Sequence, residues 1–200
     1  MTTAPRIAVQ WAGPAPPPMA VALSGRTLLL VAGMPGAGKS TLLAGLPCRD
    51  GVVVLDSDAQ RETVRRVLGS RSLPYGWYRP LVHLLHRIAL LLAAISAAPT
   101  VVVHLPATDA RTRAVVAWLA TVTGRTAHLL WVHVDPEDAR RGQIERGRVI
   151  RAASFAGHAR RAEASVAELR AGPPYGWASA TVVERAAARG GLRIIDTATR

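Results

Sequence analysis

Lysine is almost missing from this chain. The sequence holds 25 Lys and Arg residues, yet lysine occupies position 39 alone. A chain that writes arginine wherever a positive charge will do has kept the compact ammonium where a broad guanidinium would not serve. Cysteine is as scarce. Cys48 stands alone, which excludes an internal disulfide and suits a reducing cytoplasm. With no histidine near it in sequence, Cys48 reads as structural or incidental and not as a reactive thiol.

Long apolar runs are lacking too. The longest, Ile88 to Ile95, lies between His86-Arg87 and Ser96 to Pro99, whereas a membrane span takes about 20 apolar residues. It reads as a buried helix segment of a soluble protein with no membrane partner. Gly13-Pro14 and Pro16-Pro17-Pro18 interrupt the first residues where a signal peptide would need an unbroken apolar stretch. Acidic residues are outnumbered, 13 against 25, for a formal charge of +12. That excess calls for anionic partners. Nucleotide phosphates alone satisfy it, so nucleic acid is an open alternative but not the favoured one.

What is present is organised around Gly33 to Ser40, Gly-Met-Pro-Gly-Ala-Gly-Lys-Ser. This is the phosphate-loop pattern G-x-x-x-x-G-K-[ST]. Glycines let consecutive backbone amides turn inward around phosphates, Lys39 supplies the ammonium, and the Ser40 hydroxyl can reach a magnesium ion. The context agrees. Thr27 to Ala32 is a nearly continuous apolar run, as a doubly covered parallel strand should be, and Ser40 to Gly45 can carry a helix. The candidate nucleotide-binding residues are Gly33, Met34, Pro35, Gly36, Ala37, Gly38, Lys39, Ser40 and Thr41.

At 200 residues, half of them hydrophobic, the chain is most simply one domain. Residues 1–24 are Pro/Ala-rich and read as a flexible or loosely docked extension containing Trp11; residues 25–200 form the domain. Further strands are expected at Val52 to Leu55, Thr100 to Leu105, Ala127 to Val134, Ala180 to Val183 and Leu192 to Ile195. Between them, helices are expected over Ala59 to Leu68, from Arg79 through Ile95, to about Thr123, after Asp135-Pro136, and from Ser154 to Leu169. Ser70 to Tyr78 reads as a loop. In the Arg79 helix, Leu81, Leu84, Leu85, Ile88, Leu91, Leu92 and Ile95 share one face, expected to be the inward one, with Arg79, His83, His86 and Arg87 opposite. In the next helix Val115, Leu119 and Val122 are expected inward. Alternation of strands and helices calls for a parallel sheet with helices on both faces. Gly33 to Ser40, Asp56 to Asp58, His104 to Thr108 and Asp135 would gather at the carboxyl ends of its strands.

These residues resemble the small P-loop kinases related to phage polynucleotide 5′-kinase, zeta toxins and chloramphenicol phosphotransferase, often labelled AAA-type ATPases. The resemblance runs from about Arg26 to the C-terminus. It implies an α/β three-layer P-loop NTPase fold, with five main strands in the order 2-3-1-4-5 and an Arg-rich helical lid. Asp58-Ala59-Gln60-Arg61 is similar to the D-x-x-R of polynucleotide-kinase-like enzymes, where the aspartate activates the acceptor hydroxyl and the arginine binds acceptor or phosphoryl group. Arg146-Gly147-Arg148, with Phe155 and His158, is similar to the lid. The resemblance therefore implies Lys39, Asp58, Arg61 and Arg146 as catalytic residues and ATP and Mg2+ as cofactors; Ser40, from the loop motif, and Asp56, at the end of the second strand, are the candidate metal-binding residues. From the residues alone, Asp58 is also readable as a first-turn carboxylate of a helix that Ser57 caps, and Arg61, Arg140, Arg141, Arg146 and Arg148 as surface charges.

One position departs from the family. The strand Val101 to His104 ends in histidine where an acidic residue would orient a magnesium-bound water, and imidazole is a poor ligand for a hard cation. Three readings stand: Asp56 or Asp109 takes over, the metal is held by Ser40, phosphates and water, or catalysis is lost while nucleotide binding remains. The leading expectation is a cytoplasmic ATP-dependent kinase acting on a hydroxyl acceptor that the sequence does not name. A nucleotide switch or slow ATPase is the alternative, and a nucleic-acid end kinase or RNA binder, prompted by the charge and by Tyr75 to Tyr78, is the second. Oligomeric state is not readable.

Overall fold

The computed structural model describes residues 16–46, 51–56, 66, 75–145, 147 and 149–196. Seven strands are described: β1 (Met19–Leu23), β2 (Thr27–Ala32), β3 (Val52–Asp56), β4 (Thr100–His104), β5 (Thr126–His133), β6 (Ser179–Glu184) and β7 (Leu192–Asp196). The helices are α1 (Lys39–Leu43), α2 (Tyr75–Ile95), α3 (Ala110–Val122), α4 (Pro136–Glu145), α5 (Ala152–Ala171) and α6 (Arg185–Ala188).

The main sheet is parallel throughout, in the order β3-β4-β2-β5-β6. Counting from the strand that precedes the phosphate loop, this is the expected order 2-3-1-4-5. Every residue of β2 and β4 is buried, as central strands covered on both faces must be. Leu29 pairs with Val102 on one side and His128 on the other. The sheet flanked by helices is the α/β P-loop NTPase fold. No helix among the described residues is long and apolar enough to cross a membrane.

The expected extension is partly a strand. Met19–Leu23 pairs in parallel with Leu192–Asp196 as a separate two-stranded sheet, and Leu23 is buried. The prolines just before Met19-Ala-Val-Ala-Leu hid this strand, and its partner lies at the far end of the chain.

Helix α2 differs from expectation twice. It begins at Tyr75, inside the expected loop, and carries Pro80 within it. It also packs the other way round. Val82, His86, Leu90, Ala93 and Ala94 are buried, while Leu81, Leu84, Leu85, Ile88, Leu91, Leu92 and Ile95 are exposed. The small side chains Ala93 and Ala94 let the helix approach β3 and β4, which it contacts. Branched leucines would hold it off. Helix α3 is turned similarly: Val116, Ala117, Leu119 and Ala120 face inward, and Val115 and Val122 are exposed. Helix α4 starts as its sequence indicates, with Asp135 Oδ1 accepting from the Glu137 amide at 2.8 Å.

Two arginines act as internal braces. Arg125, 4% exposed, donates to the carbonyls of Ala93, Ala94, Ser96, Ala98 and Pro99 at 2.7–3.2 Å, tying the end of α2 to the start of β4. Ala93 and Ala94 lie in the last turn of α2, whose carbonyls lack intrahelical partners, and Ser96, Ala98 and Pro99 in the connection that follows. Arg113 reaches from α3 to Ser165 Oγ (2.9 Å) and Glu168 Oε2 (2.8 Å) on α5, and its guanidinium sits 5.8 Å from the Trp131 ring centroid.

Candidate functional site

The turn between β2 and α1 is built from close backbone approaches. Gly33 (φ 141°) and Gly36 (φ 92°) both hold conformations that strain an L side chain. A Cβ on Gly33 would strike the Val132 carbonyl of β5, and one on Gly36 the Ala139 carbonyl of α4. Only glycine fits at either place. Lys39 is 5% exposed, and its Nζ donates to the carbonyls of Gly33 (2.8 Å) and Met34 (3.0 Å). The ammonium thus closes the loop on itself, over the oxygens it would exchange for phosphate oxygens. Met34, Ala37 and Gly38 are buried, Pro35, Gly36 and Ser40 half-buried, and Thr41 exposed.

Helix α4 holds the loop from the side. The amide of Gln143, a buried residue that sequence reasoning missed, donates to the Pro35 carbonyl at 2.9 Å and accepts from the Ile150 amide at 3.1 Å. Arg185, at the end of β6, donates to the Asp138 carbonyl at 2.7 Å. Gly142 leaves room for both: a Cβ there would come within 3.1 Å of Arg185 Nη2 and 3.2 Å of the Gly36 carbonyl oxygen. No short motif marks Gln143 or Arg185. The one available signal for Arg185 was its place at a strand end, the rule that had singled out the other rim residues.

Two clefts open beside this turn. One, of about 560 Å³, is lined by residues including Met34, His133, Asp135, Glu163 and Arg185. The other, of about 250 Å³, is lined by Asp138, Arg141, Glu145, Arg185, Ala186 and Arg189. The second brings three guanidiniums to one side of the phosphate loop.

On the opposite side of β2, the ends of β3 and β4 meet. Asp56 and His104 are register partners, and His104 Nδ1 lies 2.8 Å from Asp56 Oδ1. His86 of α2 is buried behind them. Burial lowers its pKa, with the neighbouring His104 and His83 acting the same way and Asp56 opposing. Asp109 does other work. Its oxygens accept from the amide and hydroxyl of Thr112, both at 2.8 Å, capping α3. Burial would raise its pKa, but these bonds prevail and hold it below the usual carboxylate range. Its side chain is engaged as a helix cap. Thr108, buried on the same rim, has its hydroxyl 2.8 Å from His158 Nδ1 and 3.5 Å from Arg161 Nε. The loop before it includes Ala107 at φ 42°, and Arg113 donates to the carbonyls of Ala107 (3.2 Å) and Thr108 (3.4 Å). The Pro106 carbonyl accepts from the Gly33 amide at 3.0 Å, so this loop and the phosphate loop are joined directly.

Of the sequence-predicted residues, the structure brings the Gly33 to Thr41 stretch, Asp56 and His104 to the carboxyl rim of the sheet. Asp58, Arg61, Arg146 and Arg148 lie outside the described residues, as do Cys48, Trp11 and, apart from the helical Arg66, the helix expected over Ala59 to Leu68. Among the described residues, no group of three or more His, Cys, Asp and Glu side chains is arranged to hold a metal ion.

Residues 28–170 match the family model described as an AAA domain. None of the curated proteins matches the chain in sequence. Among solved structures, it is similar to a chain from the PezAT chromosomal toxin-antitoxin system of Streptococcus pneumoniae, with a TM-score of 0.55, 15% identity, and coverage of 80% of this chain and 68% of that one. It is also similar to a protein of Chloroflexus aurantiacus whose assignment as a kinase is provisional (TM-score 0.54, 19% identity, 88% and 87% coverage). A third is a chain of the Pnkp1/Rnl/Hen1 RNA repair complex (TM-score 0.54, 16% identity), matched over 73% of this chain but only 47% of that one. At such identities the likeness is one of fold. With the family model covering most of the domain and the phosphate loop between β2 and α1, the chain belongs to the AAA domain family, and its fold is that of the P-loop NTPases.

Proposed function

We propose that this protein transfers the terminal phosphoryl group of ATP to a hydroxyl of a small acceptor. The observation that carries the reading is Lys39, the chain's one lysine, buried at the mouth of a glycine loop and held on carbonyls that phosphate oxygens would replace. Phosphoryl transfer asks little covalent chemistry of a protein. It asks for positioning and for positive charge around the equatorial oxygens. The backbone amides of Gly36, Gly38, Lys39 and Ser40 and the Lys39 ammonium would take the β- and γ-phosphates, and the cleft walled by Arg141, Arg185 and Arg189 would take the nucleoside, guanidinium planes stacking on the base.

Magnesium suits the donors at hand. The Ser40 hydroxyl and the Asp56 carboxylate supply hard oxygen ligands, although Asp56 Oδ1 is already engaged by His104. The ion would neutralise charge on the phosphates. Asp58, two residues beyond β3, would accept the acceptor's proton as its oxygen bonds to phosphorus and the bond to the β-phosphate bridging oxygen breaks. Such a base contributes about 10²–10⁴-fold. Arg61 and Arg146 would contact acceptor and phosphoryl oxygens.

Radiolabelled ATP incubated with a library of hydroxyl compounds tests the proposal: label should pass to at least one of them, and Asp58→Asn should abolish that transfer while leaving ATP affinity nearly intact. Transfer by the Asp58 variant at the parental rate would overturn the assigned base. A second reading, a nucleotide switch or slow ATPase, is favoured by the Asp56–His104 pair standing where an acid would orient water. Phosphate release that no acceptor stimulates would select it.

A further inference from the structure

Helix α2 turns its most apolar face to solvent. Leu81, Leu84, Leu85, Ile88, Leu91, Leu92 and Ile95 are 38–66% exposed. Their spacing is that of a coiled-coil seam: Leu81, Ile88 and Ile95 recur every seven residues, Leu84 and Leu91 fall three residues after the first two, and Leu85 and Leu92 stand beside those. Next to α2, and in contact with it, α3 exposes Val115, Trp118 and Val122 with the same spacing of three and four.

We propose that this face is the interface through which two copies of the chain form a dimer, α2 packing against α2 of the partner and α3 widening the contact. The first argument is sequence periodicity. The core needs only the opposite face of α2, where Val82, His86, Leu90, Ala93 and Ala94 already meet the sheet. Among the described residues the second, heptad-spaced stripe stays exposed, and its spacing suits knobs-into-holes packing against another helix. Isoleucine at two of the three first positions, with leucine at both fourth positions, is the combination that favours two strands over three or four.

Area is the second argument. Ten large side chains at these exposures amount to on the order of 1,000 Å² by ordinary side-chain areas. Monomers rarely show an apolar patch above roughly 300–600 Å², and a standard interface takes about 800 Å² from each partner. A self-complementary patch of this kind closes on a two-fold axis and leaves nothing over for further addition. A lipid surface fits less well. An interfacial helix carries a strongly basic face opposite its apolar one, whereas the opposite face of α2 is packed on β3 and β4.

Sedimentation equilibrium of the full chain tests this between about 1 and 50 µM, the range where interfaces of this size associate. The expected mass is twice that of the 21.2 kDa chain. The double variant Leu84→Glu, Leu91→Glu should be monomeric, with unchanged circular dichroism and ATP affinity, because both side chains are exposed. Trp118→Glu, further from the axis of the seam, should raise the dissociation constant at least tenfold; it also serves if the double variant fails to fold. A parent that stays monomeric over the whole range overturns the proposal. So does a Trp118 or double variant that dimerises as tightly as the parent, or a monomer that floats with phosphatidylserine vesicles, which would assign the face to membrane instead.

Discussion

His104 Nδ1 and Asp56 Oδ1 lie 2.8 Å apart at the paired ends of β4 and β3. A donating Nδ1–H fixes the imidazole tautomer and takes one carboxylate oxygen out of play. Replacing the histidine by an acid would set two carboxylates side by side, a pair that only a cation or a proton relieves. His104→Asp should therefore lower the melting temperature in EDTA and recover it in millimolar magnesium, whereas the parent should respond little. Each kcal/mol corresponds to about 2–4 °C for a chain of this size. Thermal melts with and without magnesium measure it; equal melting temperatures in the two buffers would show that the pair does not face a cation.

The phosphate loop should tolerate neither a shorter Lys39 nor a Cβ on Gly36. Lys39→Ala removes the ammonium and should weaken ATP binding at least 100-fold, about 3 kcal/mol. Gly36→Ala drives a methyl group into the Ala139 carbonyl and should reduce binding comparably while also lowering stability. Isothermal titration with ATP and magnesium, alongside urea unfolding, separates the two effects.

Arg125 should matter for folding and not for nucleotide. Arg125→Ala would strip a donor from the carbonyls of Ala93, Ala94, Ser96, Ala98 and Pro99. Ala93, Ser96 and Pro99 keep donors from Ser96, Arg26 and Thr27, so the cost falls on the Ala94 and Ala98 carbonyls; an unpaired buried acceptor costs about 1–3 kcal/mol, and a loss on the order of 3 kcal/mol is expected in urea unfolding. Arg125→Lys, a point charge without the planar fork, should recover only part of it.

Acid should weaken the fold before any carboxylate titrates. Burial lowers the pKa of both His86 and His128 below the ordinary 6.5. The unfolded chain then takes up protons from pH 6.5 downward that the folded chain refuses, so stability present above that pH is lost as pH falls toward the folded values. Each histidine can contribute a slope of at most about 1.4 kcal/mol per pH unit. Unfolding midpoints measured from pH 7.5 to 5 should decline, and His86→Leu should flatten the decline without removing the His128 share.

Local chemistry was readable. The phosphate loop is a contiguous motif whose residue types are dictated by backbone geometry, and the central strands are continuous apolar runs because both faces are covered. Their order followed from the family resemblance. Long-range pairing was not readable. Met19–Leu23 is a strand only because Leu192–Asp196 lies beside it. Gln143 joins the site by bonding Pro35, 108 residues earlier, and Arg113 by reaching Ser165 and Glu168. Nothing near these residues in sequence announces their partners.

Helix α2 shows where the two kinds of information part. By itself the sequence determined that residues from about Arg79 to Ile95 form a helix with one leucine-rich face, and that one lysine would sit in a glycine loop, because helical period and loop geometry are properties of neighbouring residues. Which face of α2 would meet the sheet was decided only by tertiary packing: alanines at 93 and 94 admit the close approach to β3 and β4 that leucines would block, and so the more hydrophobic side was left on the surface.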